Sequence, residues 1–196
     1  MVDQVYSTTS RIEISRPIIR LATGADLSAM EWEGEFSHFR SIYANAFTRM
    51  QQGTAVIWVT ETLTDGLIGQ VFVQLVCDRP ELADGWQRAY LYSFRIKPMY
   101  RNQGLGTNMV RVVEEYLCKR QFSRLTLNVA RDNSAALRLY KRLGFQIVAE
   151  EPGNWAYPDE KGIWHFVHEP SWRMEKLLPR LNSPVRIESP QDPLIL

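Results

Sequence analysis

Residues 98–106 read PMYRNQGLG, a proline, an aromatic, an arginine and two glycines between an apolar run and an amphipathic one. Glycine lets another molecule approach the backbone closely, and the first amides of a helix have no acceptor of their own. A helix entered through such a stretch offers its N–H groups to an anion. The donors would be the amides of Gln103, Gly104, Leu105, Gly106 and Thr107, with Arg101 and Asn102 at the approach and Arg101 adding charge. A sharp turn with no ligand is the competing reading. Two other phosphate loops are excluded by their residues. GxxxxGK[ST] is absent, and the dinucleotide fingerprint fails because Met109 stands where its third small residue belongs.

The elements around this loop follow from periodicity. Residues 17–21 predict a short strand, and TGADLSAMEW, capped by Thr23 or Asp26, a first helical turn. Apolar residues at three and four spacing predict a helix over 35–51. Residues 55–60 and 67–77 predict a hairpin about Thr64, Asp65 and Gly66. A strand follows at 89–96, then a helix from Leu105 to about Arg120 with Met109, Val113 and Leu117 on one face. Residues 124–130 alternate as a strand, and a helix opened by Asn133 or Ser134 closes at Gly144. GFQIVAE and WHFVHEPSWRMEKLL predict the last strands, joined by a loop through Pro152, Tyr157 and Gly162. Residues 1–16 form a leader, 17–178 one domain, and 179–196, with four prolines, a non-helical tail.

Composition limits the function. The 196 residues are 45% hydrophobic and 23% charged, as expected of a globular domain. No secretory signal and no membrane-length apolar run is present, so the expected compartment is the cytoplasm, without a membrane partner. Cys77 and Cys118 lack ligand spacing, so both are expected as buried thiols and no metal site is expected. A net charge of +1 gives no basis for bulk nucleic-acid binding. The charge is divided, however. Residues 95–142 carry eleven Lys/Arg against three Asp/Glu, and the remainder twelve against nineteen, a split that suits one anionic and one cationic ligand.

RNQGLG after a strand and before a helix resembles the acetyl-CoA-binding motif of the GNAT superfamily of N-acetyltransferases, and NVARDNSAALRLYKRLGF resembles that family's next strand and helix. The resemblance covers about residues 17–178. It implies an α/β (α+β) fold, a mixed sheet of about seven strands flanked by about four helices. It further implies acetyl-CoA as acyl donor, held along Phe94, Arg95 and Ile96, on the amides of Gln103 to Thr107, and near Asn133. Tyr140 occupies the position of the family's general acid. The Asn133–Tyr140 spacing of seven residues puts the two on roughly one helical face if the helix reaches back that far.

Acetyl transfer to an amine needs a neutral amine, a polarised carbonyl and a proton for the leaving thiolate. A phenol stays protonated at neutral pH, which suits Tyr140. Many relatives carry a glutamate in the strand before the glycine loop, but AYLYSFRI has none, so Glu61, directly or through water, is the candidate base. The segments that flank the acceptor cleft in this family combine carboxylates with aromatics: Glu31, Trp32 and Glu35 in one, Trp155, Tyr157, Asp159 and Glu160 in the other, with Tyr92 on the strand. That composition favours a small cationic amine through charge and cation–π contact. A polypeptide N-terminus or lysine is the alternative acceptor, a homodimer is left open, and a non-catalytic acyl-CoA sensor is the alternative of another class.

Overall fold

The computed structural model describes residues 16–179. The leader and tail lie outside them, apart from Arg16 and Pro179. Seven strands form one sheet: β1 Ile18–Leu21, β2 Ala55–Thr62, β3 Gly66–Gln74, β4 Arg88–Ile96, β5 Arg124–Ala130, β6 Gln146–Glu151 and, further along the chain, Ser171–Leu177. Between β6 and that last strand, β7 (Asn154–Pro158) and β8 (Trp164–His168) make a separate two-stranded sheet, so the last strand is β9. The order in the large sheet is β1-β2-β3-β4-β5-β9-β6, and every neighbouring pair is antiparallel except β4 and β5. The α-helices are α1 (Arg40–Gln51), α2 (Leu105–Lys119) and α3 (Ser134–Arg142), accompanied by short 3-10 turns.

Both faces of the sheet are covered, which explains why residues 55–59 (AVIWV) are apolar without alternation and all buried. Val56 and Trp58 pack with Met109, Val113 and Leu117 of α2 and with Tyr140 of α3. Ile57 and Val59 pack on the other face with Tyr43 and Ala46 of α1 and with Met30 and Trp32. The hairpin expected about Thr64, Asp65 and Gly66 is formed by β2 and β3.

Two features of β4 position the site. First, it pairs with β5 only from Arg88↔Arg124 to Leu91↔Leu127, although β4 continues to Ile96 and β5, still held by β9, to Ala130. The sheet therefore forks beyond Leu91. Second, the β3–β4 register shifts between Gln70 and Phe72, where Ser93 adopts a left-handed φ of 48°. This bulge reverses the alternation. Ala89 and Leu91 face α2 before it, and Phe94 and Ile96 face α2 after it. Gly69 allows β3 to approach this stretch, since a Cβ there would lie 2.8 Å from Thr60 and 3.0 Å from the Arg95 carbonyl oxygen.

Three expectations change. The first helical region is a series of 3-10 turns, Gly24–Asp26, Ala29–Glu31 and Ser37–Phe39, broken where Trp32 and Glu33 turn left-handed. The expected loop through Tyr157 contains strand β7; its short Trp-Ala-Tyr alternation ends at a proline and was too brief to signal a strand. Cys118 is buried as expected, whereas Cys77 is only half-buried. Gly153, at the base of the β7–β8 hairpin, has φ 69°, and a Cβ there would lie 1.7 Å from the Glu169 carbonyl oxygen, so only glycine fits. Among the described residues, no helix is long and apolar enough to cross a membrane.

Candidate active site

A cavity of about 560 Å³ opens on the α2 side of the fork, lined by β4, the glycine loop and α3. It brings together Phe94, Arg95, Ile96, Arg101, Asn102, Gly104, Gly106, Thr107, Asn133 and Tyr140, all expected from the sequence. Gly104 is the N-cap of α2 with φ 83°, and a Cβ on it would meet nothing within 4 Å. Its glycine serves the left-handed turn into the helix and leaves the space in front of its backbone open. Gly106 differs: a Cβ there would stand 3.4 Å from Ile96, 3.5 Å from Phe94 and 3.6 Å from Leu139, within the cavity wall.

The Asn108 amide donates to the Gly104 carbonyl at 3.0 Å, while the amides of residues 103–107 find no backbone acceptor among the described residues. They are open donors at the positive end of a 15-residue helix. Gln103 and Leu105 contribute backbone only. The Gln103 side chain braces the turn before the loop by donating to the Met99 carbonyl at 2.8 Å, and Leu105 is buried in the core. Arg101 donates through Nε to the Ile96 carbonyl at 2.8 Å. Arg138 and Arg142, one turn apart on α3, also line the cavity. None of these three arginines pairs with a carboxylate among the described residues. Open amides and three guanidinium groups without a carboxylate partner fit a pyrophosphate-bearing ligand such as acetyl-CoA.

Asn133 caps α3, its Oδ1 accepting from the Ala136 amide at 3.0 Å. It therefore lies just outside the helix, and its amide nitrogen is the group left for a ligand. Tyr140 sits two turns on, buried, its ring against Phe145. Burial, with a smaller contribution from nearby Tyr90, pushes its hydroxyl well above the ordinary phenol range. The group remains a proton donor throughout physiological pH.

On the opposite side of the fork, the turn Ser37–Phe39, the start of α1 and the hairpin meet. Phe39 contacts Tyr157 (ring centroids 4.9 Å) and Trp155 (6.3 Å), and Ser41 Oγ donates to the Pro158 carbonyl at 2.6 Å. Tyr92 lies on this side, stacked on Tyr90 at 5.8 Å, and burial raises both hydroxyls to about 12. The two acceptor segments anticipated from the sequence thus come together, but several of their residues are otherwise engaged. Trp32 is buried in the core. Glu31 accepts from Arg40 at 2.6 and 2.8 Å, which holds its carboxyl below the usual range. Asp159 accepts from two backbone amides and pairs with His165 at 2.9 Å. Glu35 remains exposed.

Glu61 is not brought to the cavity. Arg20 grips it at 2.8 and 2.7 Å and grips Asp26 at 2.8 Å through two nitrogens. The Arg20 hydrogen bond lowers the Glu61 pKa, which weakens it as a proton acceptor. Arg95 is also divided from its expected role: its backbone borders the cavity, but the bulge sends its side chain to the acceptor side.

The model of the acetyltransferase (GNAT) family matches residues 25–145. A thialysine N-epsilon-acetyltransferase of Bos taurus is 39% identical over 64 residues, which cover 33% of this chain and only 38% of that relative. The ribosomal-protein-S18-alanine N-acetyltransferase of Escherichia coli superposes with a TM-score of 0.61 at 23% identity, over 83% of this chain and 94% of that one. The putative acetyltransferase yncA of Salmonella typhimurium, solved with its cofactor acetyl-CoA, superposes with a TM-score of 0.63 at 16% identity, over 87% and 98%. These structural likenesses concern the fold, whose seven-stranded mixed sheet agrees with the sequence-based expectation. The match over residues 25–145 places the chain in the acetyltransferase (GNAT) family.

Proposed function

We propose that the protein transfers an acetyl group from acetyl-CoA to a primary amine, with a small amine as acceptor and a polypeptide amine as the alternative. The observation that carries this reading is the fork, with open amides and arginines on one side, an aromatic cluster on the other, and the Tyr140 ring lining the cavity between helix and strand. Acetyl-CoA bound on the α2 side supplies the activated acyl group; the acetyl-CoA held by a structural neighbour supports that choice. The unpaired edge of β4 at Phe94–Ile96 orients the donor's arm, and the amides of residues 103–107 hold its pyrophosphate. Tyr140 keeps its proton at Oη and delivers it to the departing sulfur.

No carboxylate of the described residues lines the cavity. Tyr90 and Tyr92, with pKa values near 12, stay protonated and are poor bases. In this reading the acceptor loses its proton to water and not to a residue of this cavity. At pH 7 an ordinary alkylamine is neutral in about one molecule in a few thousand, equivalent to about 4 to 5 kcal/mol. The rate constant at limiting amine should accordingly rise with pH towards the amine's own pKa. Measuring release of free CoA from acetyl-CoA across a panel of amines and peptides tests the proposal. Amine-dependent release supports it, and acetyl-CoA binding without release by any amine would favour the sensor reading.

A further inference from the structure

On the acceptor side of the fork, Arg95 lacks a carboxylate partner among the described residues. Arg95 Nη1 donates to the Tyr43 hydroxyl at 2.7 Å, and the guanidinium carbon lies 4.3 Å from the Phe36 ring centre and 4.7 Å from that of Phe39. Arg95 is half-buried, yet it pairs with no carboxylate among the described residues. Three acidic residues of the surrounding segments are engaged elsewhere, Glu31 with Arg40, Glu33 with Lys97 at 3.3 Å and Asp159 with His165, while Glu35 is exposed and forms no ion pair with Arg95. Directly across the strands from Arg95 is Gln70, on the same face of the sheet and 0% exposed. Neither its amide oxygen nor its amide nitrogen has a hydrogen-bond partner of normal geometry, although it lies beside the Tyr43 hydroxyl, whose pKa is raised by burial, an effect that Arg95 and Gln70 partly offset.

A guanidinium withdrawn from water among rings and neutral groups retains fork-shaped donors that match a carboxylate. A buried amide without partners adds a second polar group left short of hydrogen bonds in the same place. Arg95 thus sets a positive group among the acidic segments expected from the sequence. We propose that Arg95, backed by Gln70, receives a carboxylate carried by the acceptor, so that the acceptor is an amino acid or similar zwitterion and not a simple polyamine. This rests on the acetyltransferase reading above. The competing account is that Arg95 only braces Phe36 and Phe39 by cation–π contact.

Matched acceptors separate the two accounts. Lysine and its decarboxylated counterpart cadaverine, and phenylalanine and 2-phenylethylamine, differ by the carboxylate alone. With the wild-type protein, kcat/KM should favour the carboxylated member of at least one pair by roughly tenfold or more. Arg95→Gln should reduce that preference to within about twofold and leave the KM for acetyl-CoA unchanged, whereas Arg95→Lys, which keeps charge without the fork, should retain part of it. Calorimetric titration of the same pairs into the wild-type protein needs neither turnover nor a variant. Tighter binding of the carboxylated member supports the inference even if no amine is acetylated, in which case the transfer reading alone fails. Equal binding and equal turnover within both pairs would overturn it.

Discussion

The two sides of the fork present different kinds of groups. On the α2 side, the recognition groups are mostly backbone, namely the amides at the start of α2 and the unpaired edge of β4, with Arg101, Arg138 and Arg142 around them. On the α1 side they are side chains from three separate stretches: Phe36, Phe39 and Tyr43, then Arg95, then the hairpin with Trp155 and Tyr157. Backbone recognition tolerates sequence change provided the turn and the helix start are kept, and it suits a ligand of constant shape. A cluster of side chains can be altered one residue at a time, which suits an acceptor that differs between relatives.

The largest expected effect falls where the two sides meet. Tyr140→Phe removes one hydroxyl and leaves the ring against Phe145, so turnover should fall on the order of 10²-fold, about 2.7 kcal/mol, with acetyl-CoA affinity retained. Steady-state rates beside calorimetric affinities would show the separation, and an unchanged rate would remove Tyr140 from the chemistry.

Next comes the clasp that fixes the turns of the acceptor side to β1. Hydrogen bonds from Arg20, then from Thr23, outweigh burial and hold Asp26 at about 2 against an ordinary 3.8. A carboxyl whose pKa is depressed by folding contributes stability above its unfolded pKa and loses it as pH falls through the folded value. Asp26 should therefore contribute on the order of 2 kcal/mol at neutral pH, declining from about pH 4 to pH 2. In urea titrations, Asp26→Asn should be less stable than the wild type at pH 7, and the gap should close by pH 2. A gap that persists there would mean the loss is steric, not electrostatic.

On the cofactor side the effects should be smaller because many amides share the load. Gly106→Val pushes branches into the wall formed by Ile96, Phe94 and Leu139 and should weaken acetyl-CoA binding about tenfold, or 1.4 kcal/mol. Unchanged affinity in the folded variant would reduce the loop to a turn. Arg138→Gln and Arg142→Gln should each cost about threefold, an effect that shrinks at high salt because exposed charges are screened over roughly 10 Å or less.

The same contrast decided what could be read from the residues. RNQGLG and SAALRLYKRLGF are each contiguous, so glycine spacing, cap and helical period located the start of α2 and the helix α3, while the family resemblance pointed to Phe94–Ile96, Asn133 and Tyr140. The place of Arg138 and Arg142 in the cavity depends on how α3 lies against β4, which local sequence does not show. The α1 side was harder. Nothing in AYLYSFRI announces the bulge at Ser93, and simple alternation cannot show that Arg95 crosses to the aromatic cluster. Charge counts could not show that Glu31, Asp159 and Glu61 each hold a cation within the chain. Gln70 lay unremarked inside an apolar strand, although a buried glutamine among Ile68, Val71 and Phe72 was itself a signal.

The central claim is that both sides serve one transfer. It is tested most directly by incubating the protein with acetyl-CoA and an accepted amine, then quantifying free CoA and acetylated amine together. The account predicts that both products appear in equal amounts, that both rates saturate with each substrate, and that CoA release without amine is negligible beside them. Tight acetyl-CoA binding with CoA release that is indifferent to amine would contradict it.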